Sequence, residues 1–356
     1  MKIRLALLDN DVICLQKLCD VFSTKFSDKL ELYAFTEFDS AMSCIHSTEI
    51  DVFLARTSFQ VDVENLPKRI GFAYLVDSRD IESYEGQRTI CRFQKADDIY
   101  KLILDIYSTC STSIVNKRFS DSKTTTICFS SPCSGSGSST MAISCATRLT
   151  ALGKKVLYLD LQKFPTVDAF FGRGNTNFSD IIFALKSKKV NLAMKLQSCV
   201  LQSESGVFYF SQISNPLDIL EITNEERDRL ILALQELGVY DTIVIDYDYS
   251  LSKDDLSFIA NADAIIYTCD GTENSVMKLS SCHQALEILE GSYGITLRDK
   301  TYILYNKFSS KIGQRLEVND WKELGGVQRF EHADNSMVVN SVISKVVFDA
   351  LANIGG

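Results

Sequence analysis

Thr126-Ile-Cys-Phe-Ser-Ser-Pro-Cys-Ser-Gly-Ser-Gly-Ser-Ser-Thr140 runs from an apolar segment into a loop of small residues. Met141, Ile143, Ala146, Leu149 and Leu152 then recur at helical spacing. The order is strand, small-residue loop, helix. In a phosphate-binding loop, backbone N–H groups converge on an anion at the positive end of a helix. Small residues let the backbone approach. Cys133, Ser134, Gly135, Ser136, Gly137, Ser138, Ser139 and Thr140 are the candidate cradle, and Ser139 stands where a hydroxyl reaches a phosphate-bound Mg²⁺. The pattern G-x-x-x-x-G-K-[ST] is incomplete, because Ser138 occupies the Lys position and Pro132 that of the first Gly. Taken alone, the segment reads equally as an ordinary loop between a strand and a helix.

The chain has 356 residues, of which 46% are hydrophobic and 23% charged, enough for two globular domains. The sequence contains no apolar run long enough to span a bilayer. The segment from Met1 to Asp9 turns acidic too soon for an export signal, so a cytoplasmic protein is expected. The net charge of −9 argues against a general nucleic-acid binder, and no sequence-specific nucleic-acid partner is expected. The 11 cysteines are scattered and fit reduced thiols. Three distant histidines, His46, His283 and His332, do not suggest a zinc site.

Apolar strand-like runs alternate with helical patterns along the whole chain, which predicts an α/β fold with two doubly wound, mainly parallel sheets. Residues 1–108 form a first domain, 109–122 a Ser/Thr-rich linker and 123–356 a second domain. In the first, strands are expected at Ile3–Leu8, Leu30–Phe35, Val52–Ala55, Ile70–Val76 and Thr89–Phe93, with a closing helix from Ala96. In the second they are expected at Thr126–Phe129, Lys155–Leu161, Val207–Phe210, Thr242–Asp246, Ala264–Thr268 and Thr301–Tyr305. Helices are expected at Ala193–Gln202 and Asn335–Ala352, among others. Asp160 and Asp246 fall at strand ends, where an open α/β sheet takes its ligand. With Ser139 they are the candidate Mg²⁺ residues.

The first domain resembles the receiver domain of two-component signalling. Asp9 and Asp11 match its acidic pair, and Lys95 matches the Lys after its fifth strand. The phosphoacceptor position holds Arg56, which cannot carry a phosphoryl group and could instead pair with Asp9 or Asp11. The switch position is Asp77 or Ser78. The resemblance implies a receiver-like docking domain for a protein partner.

The second domain resembles the MinD/ParA group of P-loop ATPases, and the two domains in this order resemble the CpaE-like proteins of pilus assembly. The match runs through the loop, Gly153–Asp160, Tyr240–Asp246, Ala262–Thr268 and Tyr302–Asn306. It implies ATP or ADP with Mg²⁺, with Asn306 and Phe330 beside the base and Lys307 among the nucleotide-binding residues. It also implies a homodimer across the loop face. The departures are Cys133 for the signature Lys, Ser138 for the Walker A Lys, Gln162 for the catalytic acid, and Arg329-Phe330-Glu331 for the Pro-x-Asp segment. Phosphoryl transfer depends on such positioned charges. The expectation is a nucleotide-binding positioning or docking protein for pilus, secretion or division machinery, without catalytic residues. A slow ATPase using other residues and a ligand-free scaffold are the alternatives. The apolar stripe from Met337 to Leu351 has only Lys345 as a basic residue, so it is expected in the core and not as a membrane anchor. Lys186-Ser-Lys-Lys189 and Lys195 are expected at a solvated helix end.

Overall fold

The computed structural model describes residues 2–67, 70–110, 124–187 and 191–354. The chain divides into two compact units: Met1–Lys117 with Phe183–Cys199, and Arg118–Ile182 with Val200–Gly356. Most of the expected linker, from residue 111 on, lies outside the described residues, as do Lys188 and Lys189 of the basic run.

The first unit runs β1 (Ile3–Leu8), α1 (Val12–Lys25), β2 (Leu30–Phe35), α2 (Phe38–Ser47), β3 (Val52–Arg56), β4 (Gly71–Val76), β5 (Ser83–Tyr84), β6 (Gln87–Cys91) and α3 (Ala96–Cys110). Strand order is β2-β1-β3-β4-β6-β5, parallel except for the short β5–β6 hairpin. The central strands β1, β3 and β4 are nearly all buried, as strands covered on both faces must be. Leu5, Leu7, Leu54 and Leu75 pack on one face with Phe22 and Ile103. Ala6, Leu8, Phe53 and Tyr74 pack on the other with Ile45. Asp11 caps α1, accepting the Cys14 N–H at 3.1 Å.

From Thr125 the chain continues as β7 (Thr125–Ser130), α4 (Ser138–Ala151), β8 (Val156–Asp160), α5 (Val167–Phe171), α6 (Phe178–Lys186), α7 (Leu192–Cys199), β9 (Leu201–Gln202) and β10 (Phe208–Tyr209). It goes on through α8 (Asn224–Glu236), β11 (Thr242–Asp246), α9 (Lys253–Ala260), β12 (Ala264–Cys269), α10 (Glu273–Tyr293), β13 (Thr301–Phe308), β14 (Lys322–Gln328) and α11 (Asn335–Ile343). The second sheet has the order β14-β13-β12-β7-β11-β8-β10-β9, parallel except at the β9–β10 edge. The loop-bearing strand β7 therefore lies between β12 and β11, and β8 follows β11. Asp246 and Asp160 are register partners at the ends of β11 and β8. No described helix is long and apolar enough to cross a membrane.

Several expectations fail locally. The helix expected over Ala193–Gln202 stops at Cys199, because Leu201 and Gln202 pair with Tyr209 and Phe208 in a hairpin. Lys195 of α7 is not at a solvated helix end. It is buried within the first unit, and its Nζ lies 2.6 Å from Asp105 Oδ1 on α3. The single helix expected over Asn335–Ala352 is broken: Lys345 takes an extended backbone (φ −87°, ψ 139°), and a 3₁₀ segment follows from Val346 to Asn353. The break lets Val342, Phe348 and Leu351 all reach the core while Val346 stays outside. Arg148 of α4 anchors the 3₁₀ segment through two 2.8 Å bonds to Asp349. The edge strand β14 and the short helix α5 were not expected, since Lys-Glu-Leu-Gly-Gly-Val-Gln has no strand-like apolar pattern.

Candidate phosphate-binding site

The segment between β7 and α4 forms a turn built on two left-handed glycines, Gly135 (φ 74°) and Gly137 (φ 85°). Gly137 caps α4. Such a run turns successive N–H groups inward as an anion-binding nest. Hydroxyls fix its shape. The Ser131 hydroxyl donates to the Thr268 carbonyl at 2.6 Å and accepts the Cys133 N–H at 3.0 Å. Ser136 Oγ lies 2.6 Å from Thr268 Oγ1 and 3.0 Å from Ser131 Oγ. From β13, Asn306 Nδ2 donates to the Ser136 carbonyl at 2.7 Å and Lys307 Nζ to the Gly135 carbonyl at 2.8 Å. Cys133 is buried, with its Sγ 3.3 Å from the Ser275 carbonyl. A hydrogen bond from Cys269 holds the Cys133 thiol below its ordinary pKa, against the effect of burial. Ser134 is exposed at the turn, and the Thr140 carbonyl accepts the Ser144 hydroxyl at 2.7 Å inside α4.

A Cβ at Gly137 would stand 2.5 Å from Asn306 Nδ2, on a backbone that L-residues avoid. Gly137→Ala is therefore expected to cost about 1–2 kcal/mol from the backbone alone and to unseat Asn306. Urea unfolding of the full chain measures it, and an unchanged midpoint would contradict this geometry.

The acids lie on neighbouring strands but in different circumstances. Asp246 is fully buried; its Oδ2 accepts the Tyr158 hydroxyl at 2.8 Å, while among the described residues its Oδ1 has no partner. Ser138 Oγ is likewise buried without a partner among them. Asp160 accepts the N–H groups of Gln162 at 3.2 Å and Thr166 at 2.9 Å, so it also caps its own turn. Ser139 donates to Gln162 Oε1 at 3.0 Å. Among the described residues no three acids, histidines or cysteines are grouped to hold a metal ion. A Mg²⁺ here would be held by Asp246 and Ser139 and would take its other ligands from phosphate and water, a common arrangement for this ion. Phe330 is half-buried against the core around Met141 and Val327.

Burial, followed by the charge of Asp160, pushes the Asp246 carboxyl up to about 8. Burial takes Asp160 to about 6. An unfolded Asp releases its proton near ~4, so between there and about 8 the native state binds more protons than the unfolded one. The contribution to stability is fully present below that window and is lost as pH rises through it. Unfolding midpoints of the second unit are expected to fall across the window. Asp246→Asn should flatten the decline, and a midpoint that rises with pH would contradict the assignment.

The first unit carries its own charged cluster at the ends of β1, β3, β4 and β6. Asp9 is fully buried and receives Arg92 Nη1 at 2.8 Å. Arg92 also reaches Asp11 at 3.3 Å and Asp77 at 2.7 Å. Arg56 pairs with Asp77 at 2.5 Å and stands 4.0 Å from Asp9. Two guanidinium groups thus fill the acidic corner. Residues 1–108 match the family model described as TadZ-like, receiver domain. The first 108 residues are thus similar to a TadZ-like receiver domain.

In this TadZ-like receiver domain, Arg56 pairs with Asp9, as the sequence allowed, and more closely with Asp77. The cation after β6 that enters the cluster is Arg92, not Lys95. The strand ends at Cys91, two residues earlier than expected, so Arg92 turns inward while Lys95 is exposed at the foot of α3. Of the two switch-position residues, Asp77 is the one that joins the cluster.

The sheet of the second unit has the fold of a ParA family ATPase from Chlorobium tepidum TLS. That structure aligns with 65% of this chain and 99% of its own at 18% identity, with a TM-score of 0.51. A plasmid partition protein from Borrelia burgdorferi B31, solved with AMPPNP, aligns over 64% of this chain and 99% of its own at 19% identity and a TM-score of 0.47. The MinC:MinD cell division complex of Aquifex aeolicus gives 16% identity over 64% and 95%, with a TM-score of 0.47. No curated protein matches the chain.

Sequence reasoning missed Arg92, Tyr158, Thr268 and the role of Gln162 as acceptor for Ser139. Arg92 would have been found by ending its strand one turn of alternation earlier. Thr268 and Tyr158 lie within apolar strands and carry no motif.

Proposed function

We propose that the second unit binds ATP or ADP with Mg²⁺ at Cys133–Thr140 and does not turn it over. The chain then serves in the cytoplasm as a nucleotide-bound positioning protein. The receiver-like unit would dock a protein partner of a pilus, secretion or division assembly, and a homodimer would form across the loop face. The observation that carries the reading is the stitched glycine turn beside two buried oxygen atoms, Asp246 Oδ1 and Ser138 Oγ, that lack partners among the described residues. What favours a ligand over water at these two atoms is their place beside the turn, since buried polar atoms of either kind call for a partner. Backbone N–H groups at the start of α4 would hold phosphate oxygens. Asp246 and Ser139 would hold the ion, Asn306 and Phe330 would face the base, and Lys307, whose Nζ donates to the Gly135 carbonyl, would complete the nucleotide site.

Turnover needs charge on the leaving phosphates and an oriented water. No Lys occurs between Ser131 and Thr140, and Gln162 stands at the position of the acid. The ATP-cleaving alternative therefore has no evident chemical source in the loop. Heat-released nucleotide from the purified full chain tests the reading. ATP or ADP in the supernatant is expected. A blank supernatant, together with no saturation by MgATP, would end it in favour of a ligand-free scaffold.

A further inference from the structure

The loop contains no lysine, yet among the described residues Lys307 touches it. Lys307 is the bulged residue where the β13–β14 register shifts between Asn306 and Phe308. Its backbone is left-handed (φ 59°), a conformation an L-residue adopts at a cost and that persists where the surroundings demand it. The demand is visible. Asn306 Oδ1 accepts the Lys307 N–H at 2.9 Å, and the same amide donates to the Ser136 carbonyl at 2.7 Å. The exposed Lys307 side chain then reaches the turn, with its Cε 3.9 Å from where a Gly137 Cβ would be, and ends 2.8 Å from the Gly135 carbonyl.

We propose that Lys307 is the phosphate lysine of this loop, supplied from β13 in place of the residues at Cys133 and Ser138. An ammonium group has three donors, and the Gly135 carbonyl takes one. The remaining two stand at the rim of the turn and serve the polyphosphate of a nucleoside di- or triphosphate. This deepens the nucleotide reading and rests on it. The strained bulge is the cost of placing a charge there from outside, since a glycine at 307 would adopt the same backbone without strain.

The test is calorimetric titration of the full chain and its variants with MgATP, MgADP, AMP and adenosine. Lys307→Met is expected to weaken MgATP about tenfold or more, as loss of a charge-assisted hydrogen bond would, and to leave adenosine within about twofold. Lys307→Gly should do the same while keeping or raising thermal stability, which separates lost charge from lost fold. Lys307→Arg should recover most of the affinity. Equal weakening of MgATP and adenosine would place Lys307 at the base or ribose and overturn the proposal, as would unchanged MgATP affinity. If the wild-type chain binds none of the four probes, the nucleotide reading itself fails, and this inference with it.

Discussion

Replacing Arg92 by methionine is expected to destabilise the TadZ-like receiver unit by about 3–5 kcal/mol, the range for breaking a buried ion pair and stranding its partner. Asp9 is fully buried, and its one short ion pair among the described residues is with Arg92 at 2.8 Å. Arg56 stands off at 4.0 Å and is already engaged by Asp77 at 2.5 Å. The stranded carboxylate, more than the lost guanidinium packing, sets the size of the effect. Arg92→Met combined with Asp9→Asn is therefore expected to recover much of the loss, since the amide oxygen can still accept the Asp11 N–H that Asp9 accepts at 2.9 Å. Hydrogen exchange of β1 and β3 amides in the full chain reads both. A single variant within about 1 kcal/mol of wild type, the range of a surface pair, would show that the cluster is solvated.

The same cluster bears on signalling. A receiver switches when a phosphoryl group and Mg²⁺ gather at its acidic corner, and here two arginines neutralise that corner. Arg56, at the acceptor position, offers no carboxylate. Incubation with a small phosphodonor is expected to add no phosphoryl mass to residues 1–108. A stoichiometric phosphoaspartate would contradict this.

The second large effect concerns Ser138. Its hydroxyl is buried without a partner among the described residues, one position before the Ser139 hydroxyl that turns to Gln162. Ser138→Lys is expected to tighten MgATP binding by about tenfold to a hundredfold, the value of a charge-assisted hydrogen bond to phosphate. A cation at 138 would also favour the ionised form of Asp246, so the loss of stability with rising pH should diminish in the same variant. Hydrolysis should remain slow, because Gln162 still stands where the water-orienting acid would be. An unchanged affinity would mean that phosphate does not lie against the start of α4.

Much of this was legible before the fold was known, and for physical reasons. β1, β3, β4, β7, β11 and β12 are central parallel strands buried on both faces, so they are written as unbroken apolar runs. The glycine turn is legible because left-handed backbone at Gly135 and Gly137 restricts the residue choice there. What stayed hidden has no such signature. β14 is an edge strand whose Gly325 and Gly326 abolish the alternating pattern. The break at Lys345 is imposed by the requirement that Val342, Phe348 and Leu351 share one core, a tertiary condition that local pattern does not carry. Lys195 reads as part of a basic surface until Asp105 is brought to it. The two hydroxyls that stitch the loop, Ser136 and Thr268, are 132 residues apart in sequence.

Equilibrium dialysis of the full chain against MgATP, with the bound nucleotide then resolved by chromatography, tests the central claim most directly. Saturable binding of ATP recovered intact is the expected result. Nucleotide that never saturates the protein, or that returns as ADP and phosphate at rates ordinary for an ATPase, would contradict it.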